Sequence, residues 1–129
     1  MSPAVPPFVL RDIDHAVLRA RDVDRLAAFY VDVIGCTRER VAGDLTQLRA
    51  GNALIDLVPR DGDEPDGRNL DHLCLAVAGF DADRIAAWLA SNGVVVGETA
   101  TRYGAEGYGV SIYLTDPEGN GLELKAAAP

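Results

Sequence analysis

The segment Ile13-Asp-His-Ala-Val-Leu-Arg-Ala20 returns later in the chain as Leu70-Asp-His-Leu-Cys-Leu-Ala-Val77, with the same Asp-His pair and similar apolar content. Each copy is followed by another matching pair, Asp22-Val-Asp-Arg-Leu-Ala-Ala-Phe29 and Asp81-Ala-Asp-Arg-Ile-Ala-Ala-Trp88. Matches that keep their order and nearly their spacing indicate an internal repeat. The sequence therefore predicts two modules, at about residues 10–58 and 70–125, joined by a loop over residues 59–69.

Within each module the pattern predicts a strand, a helix and then two or three strands. An apolar stripe at helical spacing indicates each helix, and Gly35 and Gly93 suit the left-handed position that ends one. The candidate N-caps are Asp22 or Asp24 in module one and Asp81 or Asp83 in module two. Thr115–Gly121 is rich in turn formers and predicts a hairpin loop. The predicted class is α+β, with two tandem βαβββ modules forming a cupped mixed sheet and the helices on its outer face.

Composition and charge restrict the classes of function. The 129 residues, 48% hydrophobic and 25% charged, suit a single globular domain covering residues 1–129. A net charge of −8 repels phosphate backbones and anionic bilayers, so we expect neither nucleic-acid nor membrane binding. No apolar run approaches the roughly 20 residues of a membrane span, and the first residues do not resemble a signal peptide. Two cysteines are too few for a disulfide framework, and we expect a cytoplasmic protein.

Strand alternation predicts which side chains face the hollow of the sheet. In four strands, apolar residues two apart share the face that suits packing under the helix, so the polar residue between them points to the concave side. These polar residues are His15, Asp56, His72 and Glu123. Carboxylates on a partly enclosed face need a proton, a cation or a basic partner.

Two imidazoles and two carboxylates suit Fe(II), Mn(II), Co(II), Ni(II) or Zn(II). The sequence therefore predicts one divalent metal ion on the concave face. Structural histidines and solvated carboxylates are the alternative interpretation of the same pattern.

The motifs Ile-Asp-His15, Leu-Asp-His72 and Asp116-Pro-Glu-Gly-Asn-Gly-Leu-Glu123 resemble those of the vicinal-oxygen-chelate superfamily, over about residues 11–125. This superfamily includes glyoxalase I, fosfomycin-resistance enzymes, extradiol dioxygenases, methylmalonyl-CoA epimerase and bleomycin-resistance proteins. The resemblance implies paired βαβββ modules around a metal that chelates neighbouring substrate oxygens. It implies His15, His72 and Glu123 as ligands, with Asp56 in the place of a fourth acidic ligand. Because aspartate is one methylene shorter than glutamate, Asp56 is a ligand, a base or the holder of a ligand water.

Other polar side chains are candidates for substrate binding. Arg102 and Tyr103 lie in a glycine-rich segment, and an arginine can hold a carboxylate or phosphonate by paired hydrogen bonds. By alternation Ser111 and Tyr113 share the cavity face with Glu123, and Gln47 lies on the cavity side of module one.

The resulting hypothesis is a metal-dependent, glyoxalase-like lyase or isomerase acting on a small oxygenated substrate. The metal would polarise a carbonyl or hydroxyl, while Glu123 or Asp56 moves a proton. Three alternatives stay open: a fosfomycin-resistance-like epoxide-opening enzyme, an extradiol dioxygenase, and a metal-free, bleomycin-resistance-like binding protein. The resemblance also implies a homodimer, with the site either within one chain or across two.

Overall fold

A computed structural model describes residues 11–60, 70 and 72–129, so residues 61–69 of the expected inter-module loop lie outside the described residues. Module one consists of β1 (His15–Ala20), α1 (Val23–Ala28), β2 (Thr37–Ala42), β3 (Leu45–Ala50) and β4 (Ala53–Pro59). Module two consists of β5 (His72–Val77), α2 (Ala82–Ser91), β6 (Thr99–Gly104), β7 (Gly107–Thr115) and β8 (Gly121–Ala126). The predicted α+β class with two tandem βαβββ modules is confirmed.

Each module builds one mixed four-stranded sheet, and the two sheets have the same topology. The strand orders are β1-β4-β3-β2 and β5-β8-β7-β6. The first strand runs parallel to the last strand of its module, and the remaining pairs are antiparallel. Within the described parts of the chain the two sheets are separate, so the repeat in the sequence is a repeat of complete sheets.

The helix-facing side of each sheet carries the core, as alternation predicts. In module one Leu18, Ile55 and Leu57 are at most 2% exposed. In module two Ile112 and Leu122 are fully buried. Burying a leucine or isoleucine side chain is worth about 1.5–3 kcal/mol. Because apolar residues take this face, the intervening residues of β4 and β8 must point to the other side.

The helices begin where the sequence predicts, but the first one changes geometry halfway. Asp22 and Asp81 are the N-caps, accepting hydrogen bonds from the backbone N–H groups three residues later at 3.0 and 3.1 Å. After Ala28 the chain continues as a π-helix over Phe29–Ile34, which ends at Gly35 with φ 95°. Neither helix in the described ranges has the length and apolarity that a membrane crossing requires.

Two consecutive aromatic residues are buried where α1 passes into the π-helix. Phe29 and Tyr30 are both in the core, with ring centroids 5.3 Å apart in an edge-on arrangement. They follow the buried Leu26 by three and four residues, and residues at these spacings share one face of a helix.

The Asp116–Asn120 loop between β7 and β8 fastens module two to module one. The carboxylate of Asp116, 4% exposed, accepts a hydrogen bond from the Tyr30 hydroxyl at 2.8 Å. It also accepts from the backbone N–H groups of Glu118 and Asn120 and from the Asn120 amide. The burial and this charged neighbour raise the pKa of the Tyr30 hydroxyl, which stays protonated as the donor.

Two further contacts join the modules at the same side. The Glu118 carboxylate accepts hydrogen bonds from the backbone N–H groups of Arg21 and Asp22 at 3.0 and 3.1 Å, at the start of α1. The Trp88 indole N–H of α2 donates to the Val33 carbonyl at 2.9 Å, near the end of the π-helix. The predicted hairpin loop is therefore also an inter-module clamp.

We expect Tyr30→Phe to destabilise the protein by about 1.5–3 kcal/mol, because it removes a buried hydrogen bond to a charged acceptor. Urea denaturation of the two proteins measures the difference. Tyr108→Phe is the matched control, since Tyr108 is 78% exposed, and it should change the stability by less than about 0.5 kcal/mol. Equal stability of Tyr30→Phe and the unaltered protein would contradict this role for the clamp.

Candidate functional site

The concave face of module two centres on Glu123 in β8. This side chain is only 5% exposed, although it points away from the helix. Its Oε2 accepts a hydrogen bond from the Ser111 hydroxyl at 2.6 Å, and its Oε1 lies 3.3 Å from Nε2 of His72. The predicted residues His72, Ser111 and Glu123 therefore meet in one place.

Cys74 lies beside Glu123 in the register of β5 and β8. Burial raises the pKa of the Cys74 thiol to about 11, and the charge of Glu123 and a hydrogen bond to it act in the same direction. The charge of Lys125 opposes this shift. The thiol is therefore protonated near neutral pH, which disfavours a role as a nucleophile.

The concave face of module one holds the other predicted carboxylate, Asp56 in β4. It is 5% exposed, and both of its oxygens accept hydrogen bonds from the Gln47 amide, at 3.1 and 3.2 Å. The Gln47 oxygen in turn accepts from Arg40, which fixes the amide so that its nitrogen points to Asp56. A neutral donor thus holds each of the two buried carboxylates: Gln47 for Asp56 and Ser111 for Glu123.

His15 opens β1 on the same sheet as Asp56. Its Nδ1 lies 2.7 Å from a carboxylate oxygen of Asp14, and this hydrogen bond is the main cause of a raised pKa of the His15 imidazole. The charge of Asp56 adds a smaller effect in the same direction. The side chain remains 45% exposed.

The four predicted metal ligands thus occupy two sheets. Among residues 11–60, 70 and 72–129, no group of three or more His, Cys, Asp or Glu side chains is gathered closely enough to hold a metal ion. The structure brings His72 and Glu123 together and places His15 and Asp56 on the first sheet. We call these the module-two and module-one half-sites.

The predicted substrate residues divide between the two faces of the second sheet. Arg102 Nε donates to the Tyr113 hydroxyl at 3.2 Å, and its guanidinium carbon lies 5.7 Å from the centre of that ring. The Tyr113 ring is 6.2 Å from the His72 ring, so both residues adjoin the half-site. Tyr103 is 74% exposed, and it lies on the opposite face beside Tyr108, with ring centroids 5.0 Å apart.

Sequence reasoning missed one residue of this face, Lys125. It is paired with Ser111 in the register of β7 and β8, so its side chain shares the face of Glu123, and it is 7% exposed. The same strand alternation that predicts the orientation of Glu123 also predicts that of Lys125, because Lys125 follows two residues later.

A cavity of about 790 Å³ separates the modules. Its walls include His15, the segment 33–36 at the end of the π-helix, residues 73–77 of β5, and Trp88 of α2. Cys74 and Ala76 also line it, so the cavity reaches the concave side of module two. A space of this size holds a small molecule.

A sequence model of the Glyoxalase/Bleomycin resistance protein/Dioxygenase superfamily matches residues 12–124. Among solved structures, a virulence protein from Salmonella typhimurium is similar, with a TM-score of 0.79 and 23% identity over 94% of this chain and 100% of that one. A lactoylglutathione lyase from Agrobacterium tumefaciens has a TM-score of 0.67 and 23% identity, over 90% of this chain and 93% of its own.

An integron cassette protein from the mobile metagenome of V. Pseudocholerae has a TM-score of 0.78 and 26% identity, covering 95% of this chain and 98% of its own. The similarity to these structures extends over both modules. It shows that the arrangement of the sheets is shared.

In chelator-treated protein we expect Glu123→Gln to lower the pKa of Cys74 from about 11 toward, but not to, its ordinary value, because the charge is removed while the burial remains. The rate of alkylation by iodoacetamide, followed by mass spectrometry across the alkaline pH range, measures it. The variant should therefore react faster than the unaltered protein at the same pH. Cys36, which is buried elsewhere, is the internal control. An unchanged Cys74 profile would contradict the contact with Glu123.

Proposed function

Because this chain belongs to the Glyoxalase/Bleomycin resistance protein/Dioxygenase superfamily, we propose that it is a metal-dependent lyase or isomerase of the glyoxalase type, acting on a small oxygenated substrate. The observation that carries the proposal is the module-two half-site. There an imidazole nitrogen and a buried carboxylate oxygen lie 3.3 Å apart on the hollow side of the sheet. Such a pair is half of a nitrogen and oxygen ligand set for a divalent transition metal.

The donor chemistry of the described residues fits a metal. His72 and Glu123 supply one nitrogen and one oxygen, and His15 and Asp56 supply the same types from the other sheet. Burying two carboxylates is costly without a neutralising cation. The hydrogen-bond donors that hold them, Ser111 and Gln47, carry no charge, and the imidazole of His72 lies 3.3 Å from Glu123. We propose these four residues as the ligands of one ion of Zn, Ni, Mn, Co or Fe.

The protein's own side chains would orient the ligands and move the proton. Ser111 holds Oε2 of Glu123, which leaves Oε1 to face the ion and the substrate. Gln47 donates hydrogen bonds to both oxygens of Asp56, which orients this side chain for proton transfer. A bound divalent ion would supply polarisation of a substrate oxygen, which makes a neighbouring C–H bond more acidic. One of the two carboxylates, Asp56 or Glu123, would take that proton, while Arg102 and Tyr113 border the substrate.

Two copies of the chain would complete the site. The half-sites do not form a ligand cluster within the described parts of one chain. Each carries one imidazole and one carboxylate, and the two sheets have the same topology. We therefore propose a homodimer in which module one of one copy faces module two of the other. A twofold dimer then contains two equivalent sites.

A metal-free binding protein is the second candidate. The inter-module cavity favours it, because its walls along β5 and α2 are largely apolar and suit sequestration of a small molecule. The metal content of the protein separates the two candidates, since sequestration needs none.

Elemental analysis after chelation and reloading should find about one divalent ion per chain in the unaltered protein. We expect His15→Ala and His72→Ala each to weaken metal binding by at least about 100-fold, because each removes a ligand. Arg84→Ala, on the exposed side of α2, is the control and should bind normally. Absence of metal from every reloaded preparation would rule out the enzyme mechanism and favour the binding protein.

Mixing the two histidine variants tests the dimeric site. A mixed dimer of His15→Ala and His72→Ala chains would contain one intact and one doubly altered site. Co-refolding equal amounts should therefore restore about a quarter of the unaltered metal content, as random pairing makes half of the dimers mixed. No restoration, with both variants folded and dimeric, would place the site within one chain.

A further inference from the structure

Lys125 is a cation on the hollow face that the proposed reaction does not use. It follows Glu123 by two residues in β8, and its neighbours in the register are Ala76 in β5 and Ser111 in β7. It therefore occupies the next row of side chains, about 7 Å from the row of Glu123. Only 7% of the residue is exposed.

Two glycines leave space for the lysine side chain. A Cβ atom at Gly109 would lie 3.0 Å from the Lys125 nitrogen, and one at Gly104 would lie 3.1 Å from its Cε. The side chain thus runs away from Glu123, across β7 toward the tip of the β6–β7 hairpin. Ala105 in that tip and Ala76 beside Lys125 both line the inter-module cavity. Lys125 itself does not line the cavity, but its side chain runs from beside Ala76 toward Ala105.

The ammonium group has no partner among the described residues. None of their carboxylates lies within 4.0 Å of it, and none of their polar atoms accepts a hydrogen bond from it. The nearest carboxylate on the same strand, Glu123, is engaged with Ser111 and His72. Each fully enclosed side-chain nitrogen or oxygen in the described chain has a hydrogen-bond partner, so this nitrogen must keep a small opening to solvent.

Arg102 differs from Lys125 in this respect. Its guanidinium is held by the Tyr113 hydroxyl and by Glu98. A nearly buried charge without a counterion destabilises a protein, and such a group is characteristic of a site that an anion completes. Of the two cations Arg102 and Lys125, Lys125 is thus the one whose charge is available to a ligand.

We propose that Lys125 binds a carboxylate of the substrate. The inference rests on the proposed function and specifies the class of its substrate. That class is a small oxygenated acid whose carboxylate lies several bonds from the reacting oxygens, since the ammonium is more than one row of side chains from Glu123. The reacting oxygens then face His72 and Glu123 while the acid group points to the glycine-rich hairpin.

Titration calorimetry with 4-oxopentanoate and its neutral amide tests the proposal, because the two probes have the same shape and differ in charge. Metal-free protein should bind the acid at least about tenfold more tightly than the amide. Lys125→Met should reduce the affinity for the acid to that for the amide and leave the amide unchanged. Lys125→Arg should keep part of the preference. Arg84→Met removes the same charge from an exposed position of α2 and should keep the whole preference for the acid.

Gly109→Ala is a second, independent variant. It keeps the charge but places a methyl group 3.0 Å from the ammonium, so it should also reduce the preference for the acid. Lys125→Met should melt no lower than the unaltered protein, since it removes an unpaired charge. The proposal would be overturned if Lys125→Met kept the preference for the acid, or if it weakened the affinity for the acid and for the amide equally.

The metal content of the same variants separates this inference from the proposed function. Lys125→Met should reload metal normally, because no proposed ligand is altered. Protein that never binds metal but shows the Lys125-dependent preference would defeat the enzyme mechanism and retain the anion subsite. Normal metal binding without a preference for the acid over the amide would defeat the anion subsite and retain the enzyme mechanism.

Discussion

The buried carboxylate of Asp116 is the constraint on which the arrangement of the two modules depends. Burying this charge is costly, and it is tolerated because the loop around it and Tyr30 of module one together satisfy its oxygens. Glu118 in the same loop accepts hydrogen bonds from two backbone N–H groups at the start of α1, where a negative charge also suits the helix dipole. A five-residue connection thereby fixes where the first helix lies relative to the second sheet.

The hollow faces follow from a second constraint, the placement of polar residues between core residues. In β4 and β8 the apolar neighbours fill the core, so Asp56 and Glu123 must face the hollow. Different donors hold them, an amide in one module and a hydroxyl in the other, and both donors are uncharged. The two modules thus hold a buried carboxylate on the hollow face with unrelated side chains.

Most of the fold could be predicted from the sequence, because repetition and alternation are local patterns. The helix caps, the hairpin loop and the inward faces of β4 and β8 followed from them. The separation of the proposed ligands into two half-sites did not, since alternation gives the face of a strand but not the relation between two sheets. Alternation applied along β6 also separates Arg102 from its neighbour Tyr103, which accounts for their opposite faces. Lys125 was missed because its importance depends on two glycines in other strands.

The clamp is not reciprocal. The turn between β3 and β4, the counterpart of the Asp116 loop, consists of Gly51 and Asn52 alone, and these offer no side-chain carboxylate to module two. In the described chain the second module supplies this loop, and the first module supplies the helix that receives it. The two halves are therefore no longer interchangeable. A chain made of two copies of module one would lack the Asp116–Asn120 loop, and with it the hydrogen bonds that fix one module relative to the other.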